Sequence, residues 1–290
     1  MFYDLNIPWP KNVPASATLE FAKPTGPIAD LFKTVATLVD LGYTTIAYDY
    51  EAAGKTSSIT SPIQKDVFAA SFPGITFLSR VTLLLDDAAQ AQSLPSLTKE
   101  FDILAVRPTN EKLLLAACTN LDIDLISVDL SSRLPFYLKH RALGVAVARG
   151  IKIEICYSPA TRQNDHYARR NLISNAAALF RATRGKGIVI SSAAQQALEC
   201  RGPYDVANLA TLWGFTQEKG KLAVEGDARA VCTHARMRRR SYKQVVEIVG
   251  EDGDEEKKEE QTREEKGKGV GKSETGKSRR NSKKRKATDG

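Results

Sequence analysis

The chain is poor in the side chains from which most metal and nucleophilic sites are built. Its three histidines, His140, His166 and His234, each stand alone, with no H-x-H or H-x-x-x-H pair among 290 residues. Metal centres draw on clustered His, Cys and carboxylates, so this pattern supplies no ligand set. The four cysteines, Cys118, Cys156, Cys200 and Cys232, are far apart and form no C-x-x-C. That spacing favours buried, reduced thiols in an intracellular protein over a disulfide framework or a zinc site. No serine lies in a G-x-S-x-G elbow, and no G-x-G-x-x-G follows the first expected strand. Ala53-Gly54-Lys55-Thr56 is like the end of a phosphate-binding loop, but the glycine that loop needs at position 49 is Asp49. No apolar run approaches the ~20 residues of a membrane span. The first residues, Met-Phe-Tyr-Asp-Leu-Asn, have neither the basic nor the apolar region of a signal peptide. A soluble intracellular protein with no membrane association is expected.

What the chain does have is charge, unevenly arranged. Formal net charge is +8, and residues 251–290 hold 13 Lys and Arg against 11 Asp and Glu, so most of the excess lies on the body. A basic body points to an anionic partner without identifying it. From about residue 250 apolar residues nearly vanish: 251–265 is mostly acidic and 266–286 mostly basic. Such a segment cannot bury enough surface to offset its ordering entropy, so a globular domain over 1–249 and a disordered tail over 250–290 are expected. Arg279-Arg280-Asn281-Ser282-Lys283-Lys284-Arg285-Lys286 reads as a two-part nuclear localisation signal, with a solvated charged tail as the competing reading.

Within the body, short apolar runs alternate with helical spacings. Strands are expected at Phe2–Ile7, Thr45–Tyr48, Ile75–Leu85, Ile103–Val106, Leu125–Val128, Ile151–Cys156 and Ile188–Ile190. Helices are expected at Ile28–Leu41, Glu111–Cys118, Arg169–Thr183 and Thr216–Val224, with another starting at Pro203. Pro203 suits the first helical position, where its missing N–H costs nothing, and Asp205 complements the helix dipole. Ala228–His234 could be a strand or a helix, and 51–72 a loop with at most a short helix. Seven or eight strands, each followed by a helix-length connection, point to a TIM-like (β/α) barrel of mostly parallel strands, with an open doubly wound sheet as the alternative.

Two constellations could carry function. Asp4, Asp49, Asp102 and Asp129 fall at or near strand ends, where barrel enzymes place catalytic groups, although turn formation and capping by Asp is the favoured reading. The basic residues are more consistent: Arg80, Arg107, Lys112, Lys139, Arg169, Arg170 and Arg201 fall at strand ends, in loops or on helix faces, several beside aromatics. Arginine is suited to bidentate phosphate contacts, so these seven are the expected RNA-binding residues. For any single one, a surface salt bridge or a solvated charge is the favoured reading.

Several blocks, in order, carry a resemblance. They are Phe2-Tyr3-Asp4-Leu5-Asn6, Ala117 through Ile126, Leu134-Pro135-Phe136-Tyr137-Leu138-Lys139, Tyr157-Ser158-Pro159-Ala160, and Ile190-Ser191-Ser192-Ala193-Ala194 through Arg201-Gly202-Pro203-Tyr204-Asp205 to Leu209. Over most of residues 1–235 the chain resembles the barrel-type, roughly thirty-kilodalton protein subunit of ribonuclease P, shared in eukaryotes with ribonuclease MRP. The resemblance implies a barrel related to the PHP family of metal-dependent phosphoesterases, whose first strand ends in a metal-ligating H-x-H; here that place reads Asp4-Leu5-Asn6. It implies a chain with no catalytic or metal residues and no cofactor of its own, the magnesium being held at the RNA active site. It further implies as partners ribonuclease P RNA and ribonuclease MRP RNA, a small α/β protein subunit, other proteins of the particle and, indirectly, precursor tRNA. The process implied is removal of the 5′ leader of precursor tRNA, with ribosomal RNA processing in the MRP form, in the nucleus and its nucleolus. A PHP-type phosphoesterase acting on its own is the alternative.

Overall fold

Seven strands form one sheet, parallel throughout and in sequential order: β1 (Phe2–Pro8), β2 (Tyr43–Ala52), β3 (Thr76–Leu85), β4 (Ile103–Pro108), β5 (Leu125–Ser127), β6 (Lys152–Cys156) and β7 (Ile188–Ser191). The computed structural model describes residues 1–11, 26–54, 60–162, 166–242 and 246–247. The chain divides into two units, Met1–Val246 and Glu247–Gly290, and the description below concerns the first. The expected tail and its nuclear signal lie outside the described residues.

Strands such as Ile103-Leu104-Ala105-Val106 and Ile188-Val189-Ile190 are apolar at every position because both faces are buried, as in other parallel sheets. Period-two alternation divides them between two cores. Tyr3, Leu5, Ala47, Ile103, Ala105, Leu125 and Val189 form an inner cluster, while Ile46, Tyr48, Leu83, Leu104, Val106, Ile155 and Ile190 belong to a larger one that includes the surrounding helices. The sheet curls until β1 and β7 lie side by side, but no strand ladder joins them. The link there is a backbone bond from Ala193 N–H to the Asn6 carbonyl (2.9 Å), and one from Ser192 N–H to the Asp4 carboxylate (3.1 Å). The result is a nearly closed seven-stranded barrel, at the lower end of the expected strand count.

The helices are α1 (Pro27–Asp40), α2 (Lys65–Ser71), α3 (Leu94–Glu100), α4 (Glu111–Thr119), α5 (His140–Ala148), α6 (Ser158–Arg162), α7 (His166–Thr183), α8 (Pro203–Thr211), α9 (Gln217–Val224) and α10 (Gly226–Arg240). Local chemistry sets several boundaries. Pro27 and Pro203 open α1 and α8, the Asn110 side chain caps α4 by accepting from Leu113 N–H (2.9 Å), and Gly42 follows α1 with φ +94°. Helix α9 passes so near α8 that a Cβ on Gly220 would lie 2.8 Å from the Ala207 carbonyl oxygen, so only glycine fits there. Helices α3, α5 and α6 were not expected. They are short, and α3 and α6 contain a proline that obscures the helical period.

Residues 228–234, left between strand and helix by their sequence, lie inside α10. Ala228, Val231 and Ala235 recur at helical spacing and pack into the inner core against Tyr3, Leu5 and Ile103, closing the N-terminal end of the barrel. Carboxylates anchor this plug. Asp124 accepts from Arg238 Nη2 (2.7 Å) and Nε (3.1 Å) and lies 2.8 Å from His234 Nδ1. Asp102 accepts from Arg239 and Lys65, each at 2.6 Å, and Asp227 from Lys152 at 2.7 Å. Asp102, one of the four strand-end carboxylates, therefore serves the closed end of the barrel and cannot share a site with Asp49 or Asp129.

Candidate nucleic-acid interface

The centre of the barrel holds charge. Arg80 and Glu154 sit mid-strand on β3 and β6, face inward and are fully buried. The guanidinium donates to both Glu154 oxygens (2.5 and 2.7 Å), to the Leu5 carbonyl (2.8 Å) and to Thr82 Oγ1 (3.2 Å), and its Nε lies 3.3 Å from Asp49. Burial alone would raise the Glu154 carboxyl, but Arg80, together with the Ser127 and Ser191 hydroxyls, more than offsets it and holds the group at about 2. Burial likewise works against the charged guanidinium, and the two carboxylates reverse that effect and keep it protonated. The neighbouring Asp49 moves the other way: burial raises it, with Arg80 and Thr82 offsetting only part. Arg80 was expected to touch RNA. It has no exposed surface and its donors are committed, so that expectation is corrected: it is a structural charge inside the barrel.

Asp4 and Asn6, where the resemblance places a metal-ligating H-x-H, do other work. Asp4 Oδ1 accepts from Ser192 and Asn6 N–H (3.1 and 3.2 Å), pinning β1 to the end of β7. Asn6 Nδ2 donates to Glu154 Oε2 (3.2 Å) and to Cys156 Sγ (3.3 Å). Glu154 is saturated by Arg80, Asn6 presents an amide donor, and a buried guanidinium already supplies the positive charge. These residues do not fit a metal centre. Among the described residues, no three His, Cys, Asp or Glu side chains are grouped to hold one.

Burial raises the Asp4 carboxyl to about 6, its bonds to Ser192 and Asn6 offsetting part of the effect. Because the folded value lies above the ordinary carboxylate value of about 4, the folded state takes up the proton more readily, and stability declines as pH rises from about 4 to 6. Asp4→Asn keeps an acceptor and removes the charge. The variant should exceed the parent by about 3 kcal/mol at pH 8 and by about 1 kcal/mol or less at pH 4.5, measured by urea unfolding. A constant difference at the two pH values would refute this.

The C-terminal end of the barrel is its open mouth, because in a parallel β/α chain every strand ends there and the next helix starts there. Six of the seven expected RNA-binding residues fall at this end. Arg107 is the penultimate residue of β4, Lys112 lies in the first turn of α4, Lys139 immediately precedes α5, Arg169 and Arg170 lie in the first two turns of α7, and Arg201 precedes α8. Lys112, Arg169 and Arg170 are exposed and make no ion pair among the described residues, and Arg170 lies 5.7 Å over the Tyr167 ring. Lys139 pairs with Glu111 and remains largely exposed; Arg107 is half-buried and pairs with Glu51 (2.8 Å). A cavity of about 300 Å³, lined by Asn6, Trp9, Asp49, Arg107, Ser127 and Cys156 among others, opens at this end. Asp129 also borders it, but its carboxylate is held in a turn by Ser131 N–H (3.0 Å) and Oγ (2.6 Å). Two aromatics join the basic rim, Tyr137 (86% exposed) and Tyr167 (69%). Tyr137 belongs to the Leu134–Lys139 block. Tyr167 was missed, since a tyrosine in the first turn of a helix carries no sign that it faces solvent.

The stretch after β7 is wired to itself. Arg162 forms a two-pronged pair with Glu199 (2.9 and 3.1 Å) and donates to the Ala193 carbonyl (2.8 Å), while Glu199 also accepts from Gln195 N–H (2.8 Å). The Tyr157 hydroxyl accepts from Arg201 N–H (3.1 Å), and the Tyr43 hydroxyl donates to the Arg201 carbonyl (3.0 Å). The Arg201 guanidinium donates to the Leu198 and Cys200 carbonyls, both at 2.8 Å. A carboxylate partner was the alternative weighed for it; the structure supplies backbone carbonyls. Ala193 takes φ +54°, a conformation rare for a non-glycine residue and held here by the bonds on either side.

Comparisons with known proteins agree with this barrel. The family described as RNase P subunit p30 matches residues 1–240. The chain is 44% identical over 247 residues to the probable ribonuclease P protein subunit 3 of Schizosaccharomyces pombe, covering 85% of this chain and 98% of that one. It is 38% identical over 261 residues to the ribonuclease P/MRP protein subunit RPP1 of Saccharomyces cerevisiae, covering 87% of each. The ribonuclease P protein subunit p30 of Mus musculus is 38% identical over 220 residues, covering 72% of this chain and 81% of that one. A chain in the cryo-EM structure of archaeal ribonuclease P with mature tRNA has the same fold, with TM-score 0.64 and 17% identity over 86% of this chain and 98% of that one. With a family match over nearly the whole described body and relatives this similar over most of their length, the chain belongs to the RNase P subunit p30 family.

Proposed function

We propose that this chain is a non-catalytic subunit of ribonuclease P/MRP that binds and stabilises the particle's RNA through the mouth of its barrel. The observation that carries the reading is the basic, aromatic-studded rim around a barrel whose centre is filled by a saturated ion pair. Lysine, arginine and exposed tyrosine together suit RNA, whose phosphates take the charges and whose unstacked bases take the rings. On this reading the chain supports removal of the 5′ leader from precursor tRNA, and ribosomal RNA processing in the MRP form. Magnesium belongs to the RNA, and a small α/β protein subunit is a partner. Among the described residues no metal ligand set is grouped at the mouth, which disfavours a free-standing metal-dependent phosphoesterase.

The test is to purify the full chain and offer it precursor tRNA with magnesium. No specific cleavage is expected, whereas the particle purified through this chain should cleave at the 5′ leader junction. Specific cleavage by the isolated chain would overturn the reading. A nuclear and nucleolar location forms part of the proposal and rests on Arg279–Lys286; a fluorescent fusion without those residues should lose nuclear enrichment, and unchanged import would remove that part.

A further inference from the structure

Helix α10 carries a second basic surface, at the opposite end of the barrel from the rim. At about 100° per residue, Arg229, Arg236 and Arg240 fall within about 40° of one another on a single face, with Arg238 roughly opposite. The structure agrees: Arg238 is buried on Asp124, whereas Arg229, Arg236 and Arg240 are exposed. None of the three makes an ion pair among the described residues. The surrounding carboxylates are already engaged: Asp124 by Arg238 and His234, Asp102 by Arg239 and Lys65, Asp227 by Lys152, and Glu225 by the N-terminal amine and Lys221. The stripe is therefore positive charge unmatched by any carboxylate among the described residues, on a helix whose other face plugs the barrel.

Beside the stripe lies a cleft of about 370 Å³, with Arg229 and Arg236 at its rim and Tyr3, Leu78 and Ile103 among its apolar lining. Arginines beside an apolar recess suit a nucleotide chain, whose phosphates meet the guanidinium groups while a base or sugar covers the apolar wall.

We propose that the Arg229–Arg236–Arg240 face binds the phosphodiester backbone of RNA, so that the barrel joins two RNA segments, one at its mouth and one at its closed end. The proposal rests on the RNA-binding reading above but concerns a different surface.

The experiment compares four forms of the full chain: the parent, R229Q/R236Q/R240Q, R229K/R236K/R240K, and a rim variant with Lys112, Lys139, Arg169 and Arg170 changed to Ala. Binding to the particle's RNA is measured across salt concentrations, and crosslinks are mapped in the purified particle. Circular dichroism and thermal melting confirm that each form is folded. R229K/R236K/R240K, which keeps the charges, should bind as the parent does. The glutamine variant should lower the magnitude of the slope of log K against log salt by roughly 2, since each phosphate contact contributes about 0.7 to 0.9. RNA crosslinks should map to the α10 peptide. An unchanged slope in the glutamine variant, with a reduced one in the rim variant, overturns this inference and leaves the RNA-binding reading standing. Unchanged slopes in both overturn both. Crosslinks from α10 to protein alone would assign the face to a protein partner and also overturn the inference.

Discussion

Glu154→Ala should destabilise the protein by about 3 to 5 kcal/mol, because it leaves the Arg80 guanidinium buried without its main counter-charge. For a body of this size that corresponds to a fall in Tm of roughly 10 °C. The loss comes from the orphaned charge more than from the lost attraction. Replacing both partners, as in Arg80→Met with Glu154→Leu, should therefore recover most of it, since a buried pair exchanged for apolar residues of similar volume is often close to neutral. The pair also sets an acid limit. Glu154 is held at about 2, below its unfolded value of about 4, so its contribution is complete above pH 4 and is lost as pH falls toward 2. Urea unfolding of the two single variants and the double variant checks the scheme. A single variant no worse than a surface substitution, within about 0.5 kcal/mol, would contradict it.

Arg80 also marks where reading the sequence reaches its limit. Parallel strands buried on both faces betray themselves by uninterrupted apolar runs, and Ile103–Val106 and Ile188–Ile190 were legible for that reason, whereas Phe2–Ile7 was legible from its alternation. A charge in the middle of such a run, as in Leu78-Ser79-Arg80-Val81 and Ile153-Glu154-Ile155, has no route to water and must be met by another charge. That signal was available and was read instead as a surface cation. What the sequence could not supply was the partner, 74 residues away, which only the curl of the sheet brings opposite. Asp102 was grouped with Asp4, Asp49 and Asp129, since residues preceding and following a strand look alike in sequence but lie at opposite ends of a barrel; its bonds to Lys65, Ser79 and Arg239 agree with the structural reading favoured for these aspartates. Lys112, Lys139, Arg169 and Arg170 were correctly located at loops and helix starts, because the order strand, loop, helix already puts them at the mouth. The exposure of Tyr137 and Tyr167 depends on what neighbouring helices leave uncovered, and no local pattern encodes it.

Changing Lys112, Lys139, Arg169 and Arg170 together to Ala should weaken RNA binding by roughly a hundredfold or more at physiological salt, if each neutralises one phosphate and releases its counterions. Folding should be nearly unaffected. All four side chains are exposed, and the one ion pair among them, Lys139 with Glu111, is of the surface kind that contributes little. A loss of affinity without a loss of stability is what separates a binding surface from a structural one. Arg201 provides the contrast within the same motif. Its guanidinium is tied to two loop carbonyls, so Arg201→Ala should cost loop order before it costs RNA contacts.

The most direct measurement is the salt dependence of RNA binding by the full chain and by this quadruple variant, using the RNA of the particle that the chain enters. The account predicts a steep inverse dependence for the parent and, for the variant, a slope smaller in magnitude by roughly 3, with the melting temperature unchanged. Equal slopes for the two proteins would contradict it, because the mouth of the barrel would then not be where this chain meets RNA.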